Sequence, residues 1–392
     1  MAVQIPTLVE LFTSIKGDLE GKIGVTIPIF GKAYLNGLAG VQAAKIKLIY
    51  LAIANLQKNV FPDLAESESI GGTLERFGRV KLNRNPFAAK AGQYTVSVTG
   101  QIGATIKVNT TFKSDDSSNN PSKLYILDNA FTFTGTTGTI TLRALEGGLG
   151  SSLNISDTLT ATAPILNADE IGTISSELIQ PLAAEDLEDY RAKIVEAFRL
   201  EPEGGAGSDY RLWSNDAQGV RTVYPYAKVG FPNEIELFVE STIANSTDSK
   251  GTPSSVMLDD VDSVVEFDPD TTAPLNERGR RPLAAFFVDV KPVSIKNIDI
   301  TITGFQNLTP TKQTTILNAL NSGIDLIRPF VPSVDILSDR NDILNDSKIT
   351  FFILNAESAT FSGLSFTVNG APQNSITFTN GDIPFLNSVT YV

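Results

Sequence analysis

The sequence predicts a multidomain α+β protein: an N-terminal helical region, a small all-β domain, a helical connecting segment, and a C-terminal α+β domain ending in β-hairpins. Three observations predict it. Apolar residues recur at helical spacing as far as Phe77. From Gln93 to about Ala163 the period falls to two, in short threonine-rich runs between turn signals. Beyond Ile235, strand and helix patterns alternate. At 392 residues the chain has room for roughly two to four domains, and 42% hydrophobic content supports folded cores. The boundaries fall at 1–92 for the helical region, 93–165 for a β-sandwich or barrel, 166–229 for the connecting segment, 230–355 for the α+β domain and 356–392 for the hairpins.

Thr7 and Glu10 form a T-x-x-E capping box ahead of Leu8, Leu11, Phe12, Ile15 and Leu19, which share one helix face. Gly21 to Phe30, with Pro28, breaks this helix. A longer pattern runs from about Lys32 to Asn59 and is apolar on two sides. Ile46, Ile49, Ile53, Leu56 and Val60 make one stripe; Val41, Ala44, Leu48 and Leu51 make another. A helix apolar on two faces needs burial from two directions. Either it is the central helix of its own domain, or its second face packs on helices of other chains. Ile70, Leu74 and Phe77 mark a short helix, with Gly78 placed to stop it in a left-handed cap, and Pro86, Ala88, Ala89 and Ala91 read as a linker.

In the β-region, Tyr94, Val96 and Val98 alternate with polar residues, as do Ile106, Val108, Thr110 and Phe112. Leu124 with Ile126, Phe131 with Phe133, and Ile140 with Leu142 continue the period. Glu146 to Leu153, EGGLGSSL, looks like a phosphate loop but lacks its lysine, so it is read as a glycine-rich turn. Leu187, Tyr190, Ile194, Val195 and Phe198 share a helix face, with Glu185, Asp186, Glu188 and Asp189 at its N-terminal end, where the helix dipole favours acids. Pro202 and the glycines after it stop that helix, and Ser208 is placed to cap another bearing Tyr210, Trp213 and Ala217. Val220 to Tyr226 is a strand.

Ile235, Leu237 and Val239 then form a strand, Pro253 opens a helix with Val256, Leu258, Val261, Val264 and Val265, and Phe286 to Val290 is extended. The pattern repeats: Ile298, Ile300 and Ile302 alternate, Thr309-Pro310 starts a helix with Ile316, Leu317, Leu320, Ile324 and Ile327, and Ile349 to Leu354 is extended. An Arg-Pro pair follows each helix, at Arg281-Pro282 and Arg328-Pro329. The order βαββαβ predicts a ferredoxin-like split βαβ domain. Asn369-Gly370 and Asn380-Gly381 are hairpin signals.

Missing residue types narrow the chemistry. There is no cysteine and no histidine, which excludes disulfides, thiolate zinc sites, Ser-His-Asp catalysis and cysteine nucleophiles. The net charge of -13 disfavours nucleic acid and anionic lipid as partners. No uninterrupted apolar run approaches the roughly 20 residues of a spanning helix, and no basic-then-apolar leader precedes the first helix, so neither a membrane partner nor Sec-type secretion is expected.

Asp259, Asp260 and Asp262, with Asp268 and Asp270, form the densest carboxylate cluster, and paired carboxylates could hydrolyse glycosides or hold calcium. The glycine that an EF-hand needs is absent, and on a helix Asp259 and Asp262 face away from the valines, so a solvated acidic face is the simpler reading. Arg278, Arg280 and Arg281 lack the interleaved aromatics of a nucleic-acid patch and read as a surface hinge or an inter-subunit salt-bridge patch. Tyr210 and Trp213 could stack on sugar, but core or interface packing explains them as well. No cofactor, metal site or enzymatic activity is expected.

Three stretches together resemble one family. "FPDLAESESIGGTLERFGRVKLNR", the step into "TVSVTG" and "IGATI", the "EGGLGSSL" turn before "DTLTATAPI", and "EDLEDYRAKIVEAFRLEPEGGAGSDYRLWSNDAQGVRTVYPY" follow the order of baseplate J-like proteins. Those are wedge subunits of contractile phage tails and related injection machines. The resemblance covers most of the chain. It implies a virion structural protein of the tail baseplate, assembled in the host cytoplasm. Two copies would join a different small wedge subunit through an N-terminal helical bundle, the wedges surrounding a central hub. The β and C-terminal domains would link neighbouring wedges into a ring whose rearrangement passes the trigger to the sheath. On that implication the two stripes of the long helix are interface residues. Two other readings stand beside it: a host-binding tail-fibre protein, from the threonine-rich β-region, and a carboxylate-dependent glycosidase, from the aspartates.

Overall fold

A computed structural model describes residues 5–24, 26, 33–200, 204–282, 285–332, 334–357 and 360–392. Helices, a closed barrel and further sheets follow one another along the chain, so the protein is a multidomain α+β structure. It divides into two units: Met1–Pro86 with Leu187–Phe198, and Phe87–Asp186 with Arg199–Val392.

The first unit is helical. Helix α1 spans Leu8–Ile23, with the Thr7 hydroxyl accepting from the Glu10 amide (3.2 Å) and Gly24 closing it in the left-handed region. Helix α2 spans Ala33–Val60; the expected break at Gly21 does not occur, since α1 runs through it to Ile23, and residues 25 and 27–30 of the expected breaker lie outside the described residues. Helix α3, Leu74–Lys81, differs from expectation, because it runs through Gly78 and does not end there. Gly78 is instead a packing position. A Cβ there would lie 1.7 Å from the Tyr190 hydroxyl oxygen, so only glycine lets the ring of helix α4, Leu187–Arg199, lie against α3. Tyr190 and Ile194 bury with Ala65 and Leu74 in one small core, and the Tyr190 hydroxyl donates to Arg84 O at 2.7 Å.

In the second unit, six antiparallel strands close a barrel: β1 (Gln93–Thr99), β3 (Thr111–Ser114), β4 (Leu124–Leu127), β6 (Thr137–Ala144), β7 (Thr158–Ala161) and β8 (Ile171–Ile179). Their order is β1-β6-β4-β3-β7-β8, and β2 (Thr105–Ile106) pairs with β5 (Phe131–Thr132) beside it. Strand β8 lies in the stretch expected to be a helical connector. It belongs to the barrel because it pairs with β7 on one side and β1 on the other, which removes both open edges. Register places Tyr94 opposite Leu142 and Val96 opposite Ile140, filling the interior. The EGGLGSSL turn closes one end. Ser151 is buried, its carbonyl accepts the Tyr125 hydroxyl at 2.8 Å, and the Tyr94 hydroxyl accepts from the Leu153 amide at 3.1 Å. Burial pushes the Tyr94 hydroxyl up to about 12. These glycines serve a core.

The rest of the second unit forms two lobes. The first contains α5 (Gly207–Ser214), β9 (Val220–Ala227), β10 (Glu234–Ser241), α6 (Ser255–Glu266) and β11 (Phe287–Pro292). Strands β9 and β10 form an antiparallel hairpin, and α6 crosses over so that β11 lies parallel to β10. Asp209 caps α5, accepting from the Ala206 amide at 3.2 Å, in place of the cap that the sequence assigns to Ser208. Ser254 caps α6, accepting from Met257 N at 3.2 Å.

The second lobe contains β12 (Ser294–Thr303), α7 (Pro310–Asp325), β13 (Ile343–Asn345), α8 (Asp346–Ala356), β14 (Gly363–Val368), β15 (Ala371–Gln373), β16 (Ser375–Thr377) and β17 (Asp382–Tyr391). Its main sheet has the order β15-β14-β12-β17, with β13 paired to β16. The single ferredoxin-like sheet is therefore not formed: the two βαβ passes build separate sheets with separate cores. Ile349 to Leu354, expected as a strand, is helical. Asn345 caps α8 by accepting from Lys348 N at 2.9 Å, and Ile349 and Ile353 bury on one face, which outweighs the β-propensity of the run. Asn369-Gly370 makes the expected hairpin of β14 and β15, both residues at positive φ. Asn380-Gly381 makes a tight turn too, but β17 leaves it to run parallel to β12, so there is no second hairpin at that place.

Candidate interaction surface

Helix α2 packs against α1 through its small residues. Ala39 and Ala43 are fully buried, and Lys47 Nζ donates to Pro6 O at 2.7 Å, which ties the segment before α1 to the middle of α2. Hydrogen bonds from the Thr7 backbone and hydroxyl hold the Glu10 carboxyl below the usual carboxylate range, as a capping box requires. Alanines at i and i+4 let the two backbones approach, and they leave the large aliphatic side chains on the other sides.

Of the nine α2 residues singled out from sequence, Ile46 is half-buried and Ala44 is exposed. The other seven, Val41, Leu48, Ile49, Leu51, Ile53, Leu56 and Val60, are all exposed. Leu48 is 65%, Ile49 59% and Leu56 66% exposed, each with most of an apolar side chain in solvent. Their positions wrap the outer side of the helix, and exposed apolar side chains grouped in this way are of the kind that marks association. No group on this surface offers chemistry beyond burial.

The apolar stretch also revises one expectation. Interrupted by single polar residues and, near its end, by Gln57-Lys58-Asn59, Tyr34–Val60 is long and apolar enough, by length and composition, to cross a membrane. A search for uninterrupted apolar runs counts each polar residue as a break and so passes over it. Lys45 and Lys47 sit near its centre, and at a bilayer midplane each would cost roughly 2.5–3.5 kcal/mol. A protein cover allows Lys47 to keep its bond to Pro6.

The arginines of the first lobe are engaged within the chain. Arg280 is mostly buried, with Nη1 2.8 Å from Asp216 and Nη2 3.0 Å from Asp268. Arg281 pairs with Glu266 at 3.0 Å, and Arg278 Nη1 donates to Asp268 O at 3.1 Å. Arg280, which also donates to Val264 O at 3.0 Å, and Arg281 fasten the loop after α6 onto that helix, while Arg278 closes the loop on itself.

The aspartates do not converge on one point. Asp259 and Asp262 lie on the exposed side of α6, and Asp260 pairs with Lys90 at 3.4 Å. Asp268 and Asp270 organise the following turn, Asp270 accepting from the Thr272 amide at 2.9 Å. Among the described residues no group of acids could hold a metal ion. Tyr210 and Trp213 pack edge to face at 5.2 Å in the core of the first lobe, and burial pushes the Tyr210 hydroxyl up to about 12.

Sequence reasoning passed over one cluster of charged residues. Arg221, Glu240, Asp325 and Arg328 meet between the two lobes, and of the four only Arg328, in the Arg328-Pro329 pair, belongs to a sequence pattern. Arg221 lies 104 positions from Asp325 and Glu240 lies 88 from Arg328, and charges so far apart carry no local pattern.

Comparison with solved structures gives several likenesses. The chain is similar in fold to a chain of the cryo-EM structure of the anti-feeding prophage (AFP) baseplate, 6-fold symmetrised. The TM-score is 0.44 at 9% sequence identity, over 97% of this chain and 90% of that one. No family model matches the chain, and no curated protein matches it.

Proposed function

We propose that this chain is a structural wedge subunit of a contractile-tail baseplate. The observation that carries the reading is the ordered resemblance of its sequence to baseplate J-like proteins, from FPDLAESESIGG through EGGLGSSL to the EDLEDY to RTVYPY segment. The structure adds a physical requirement in the same place. Seven large aliphatic side chains of α2 are exposed, in the region where the family's helical bundle forms.

On this reading α2 packs with a second copy of itself and with a smaller wedge subunit, while the second unit joins neighbouring wedges, the hub and the sheath-proximal components. Triggering is a change between packed arrangements, with no bond made or broken. Arg278 and Arg281, partly exposed beside their internal partners, are the arginines available to pair with a neighbouring subunit.

Affinity capture of the tagged chain from its native producer, with quantitative mass spectrometry, tests the proposal. Recovery of other tail components in fixed proportion is the expected result. Recovery of the chain alone at every salt concentration tried would overturn it.

A further inference from the structure

The two lobes of the second unit are joined by a single residue between strands, Val293, which separates β11 from β12. Its amide donates to Val239 O in the first lobe at 3.1 Å, whereas the next amide, Ser294, donates to Gly381 O in the second at 2.9 Å. Each lobe has its own apolar core. The seam between them holds a small apolar patch, with Tyr224, Val293, Val331 and Ile383 buried. Gly381 is also in the seam, so close to the Phe238 ring that a Cβ would lie 2.4 Å from it.

Beside that patch lies a cluster of four charges. Glu240, at the end of β10, is completely buried. It accepts from the Tyr224 hydroxyl at 2.6 Å, from Arg221 Nη1 at 3.2 Å and from Arg328 Nη2 at 3.0 Å. Asp325, at the end of α7, takes Arg221 Nη2 and Arg328 Nη2, each at 2.7 Å. Each lobe therefore supplies one arginine and one carboxylate. Two ion pairs lie within lobes, Arg221 with Glu240 and Arg328 with Asp325; two cross the seam, Arg221 with Asp325 and Arg328 with Glu240.

This arrangement changes what separation costs. A buried ion pair is expensive to break when it strands an uncompensated charge. Within this cluster the cross-seam pairs can be given up while each lobe keeps a neutral pair of its own; Arg211 and Asp335, 2.6 Å apart across the same seam, part with them. We infer that the Arg221, Glu240, Asp325 and Arg328 cluster is a reversible latch, about which the two lobes part and rejoin by bending at Val293 with both cores intact. The inference goes beyond the baseplate reading and does not depend on it.

Hydrogen exchange of the full chain, read by mass spectrometry, tests it. Glu240→Gln withdraws the shared buried charge. The expected result is exchange at least ~10-fold faster in β9, in the end of β10 and in residues 326–335, with the centres of β12, β14 and α6 unchanged. Scanning calorimetry should then resolve two transitions for this unit where the unaltered chain has one. Equal acceleration across seam and cores, with a single lowered transition, would make Glu240 an ordinary core residue and overturn the latch; so would unaltered exchange at the seam. If Glu240→Gln fails to fold, Tyr224→Phe replaces it, since it removes one hydrogen bond to Glu240 and no charge. Faster exchange confined to the same seam segments is then expected, and its absence overturns the proposal.

Discussion

Replacing Ile49 with aspartate separates association from folding on the proposed bundle. Fully burying an isoleucine is worth roughly 1.5–3 kcal/mol. Ile49 is 59% exposed in the chain by itself, so covering the remainder contributes about 1–2 kcal/mol. A carboxylate at that position forfeits this gain and adds a desolvation cost of several kcal/mol in a packed bundle. The sum, about 4 kcal/mol or more, lowers the association constant roughly a thousandfold. In the isolated chain the side chain faces solvent, where such substitutions change stability by only about 0.5 kcal/mol. Two measurements on one variant decide the matter: its thermal midpoint alone, and the recovery of tail components with it from the producing cells. An unchanged midpoint with lost co-recovery is expected, and Ile53→Asp should behave likewise. A variant that still assembles in normal proportion would refute the bundle assignment.

Other outcomes follow from the same coordinates. Gly78→Ala forces a methyl against the Tyr190 ring and should destabilise the first unit by about 1–3 kcal/mol in urea titration. Tyr94→Phe leaves the buried Leu153 amide without its acceptor at the closed end of the barrel, costing about 1–3 kcal/mol by the same assay. The Asp259→Asn, Asp262→Asn double variant should retain stability and assembly; a glycosidase would lose its activity, which a screen on glycan substrates would register. Asp325 gives a pH signature. Burial by itself would raise its carboxyl, but hydrogen bonds and charge from Arg221 and Arg328 prevail and bring it from 3.8 down to about 2. Its stabilising contribution is therefore complete above about pH 4 and is lost as pH falls through about 2, a loss of roughly 1 kcal/mol after allowing for its half-exposed side chain. Asp325→Asn should remove that part of the acid dependence in thermal melts at pH 4, 3 and 2.

Local signals were legible where chemistry is local. The Thr7 and Glu10 box, the Thr309 cap with Pro310, and the Asn369-Gly370 turn act within a few residues, and each stands as the sequence implies. The α2 surface could be read for a similar reason, since the face a helical side chain occupies follows from its spacing alone. Sequence spacing could not show that the side packed on α1 belongs to neither stripe. That is decided by Ala39 and Ala43, small residues that no hydrophobic stripe would favour.

What the sequence by itself determined is the kind of protein: a histidine- and cysteine-free α+β chain, with turns, caps and an over-apolar helix that follow from short-range spacing and side-chain type. Tertiary structure decided everything that depends on a distant partner. It made Gly78 a seat for Tyr190, drew Ile171–Ile179 into the barrel to close its edges, and folded Ile349 and Ile353 into a helix face. It also brought Arg221 to Asp325 across 104 positions. Ion pairs and barrel closure are contacts in space, and their energy depends on burial and distance, quantities that spacing along the chain does not encode.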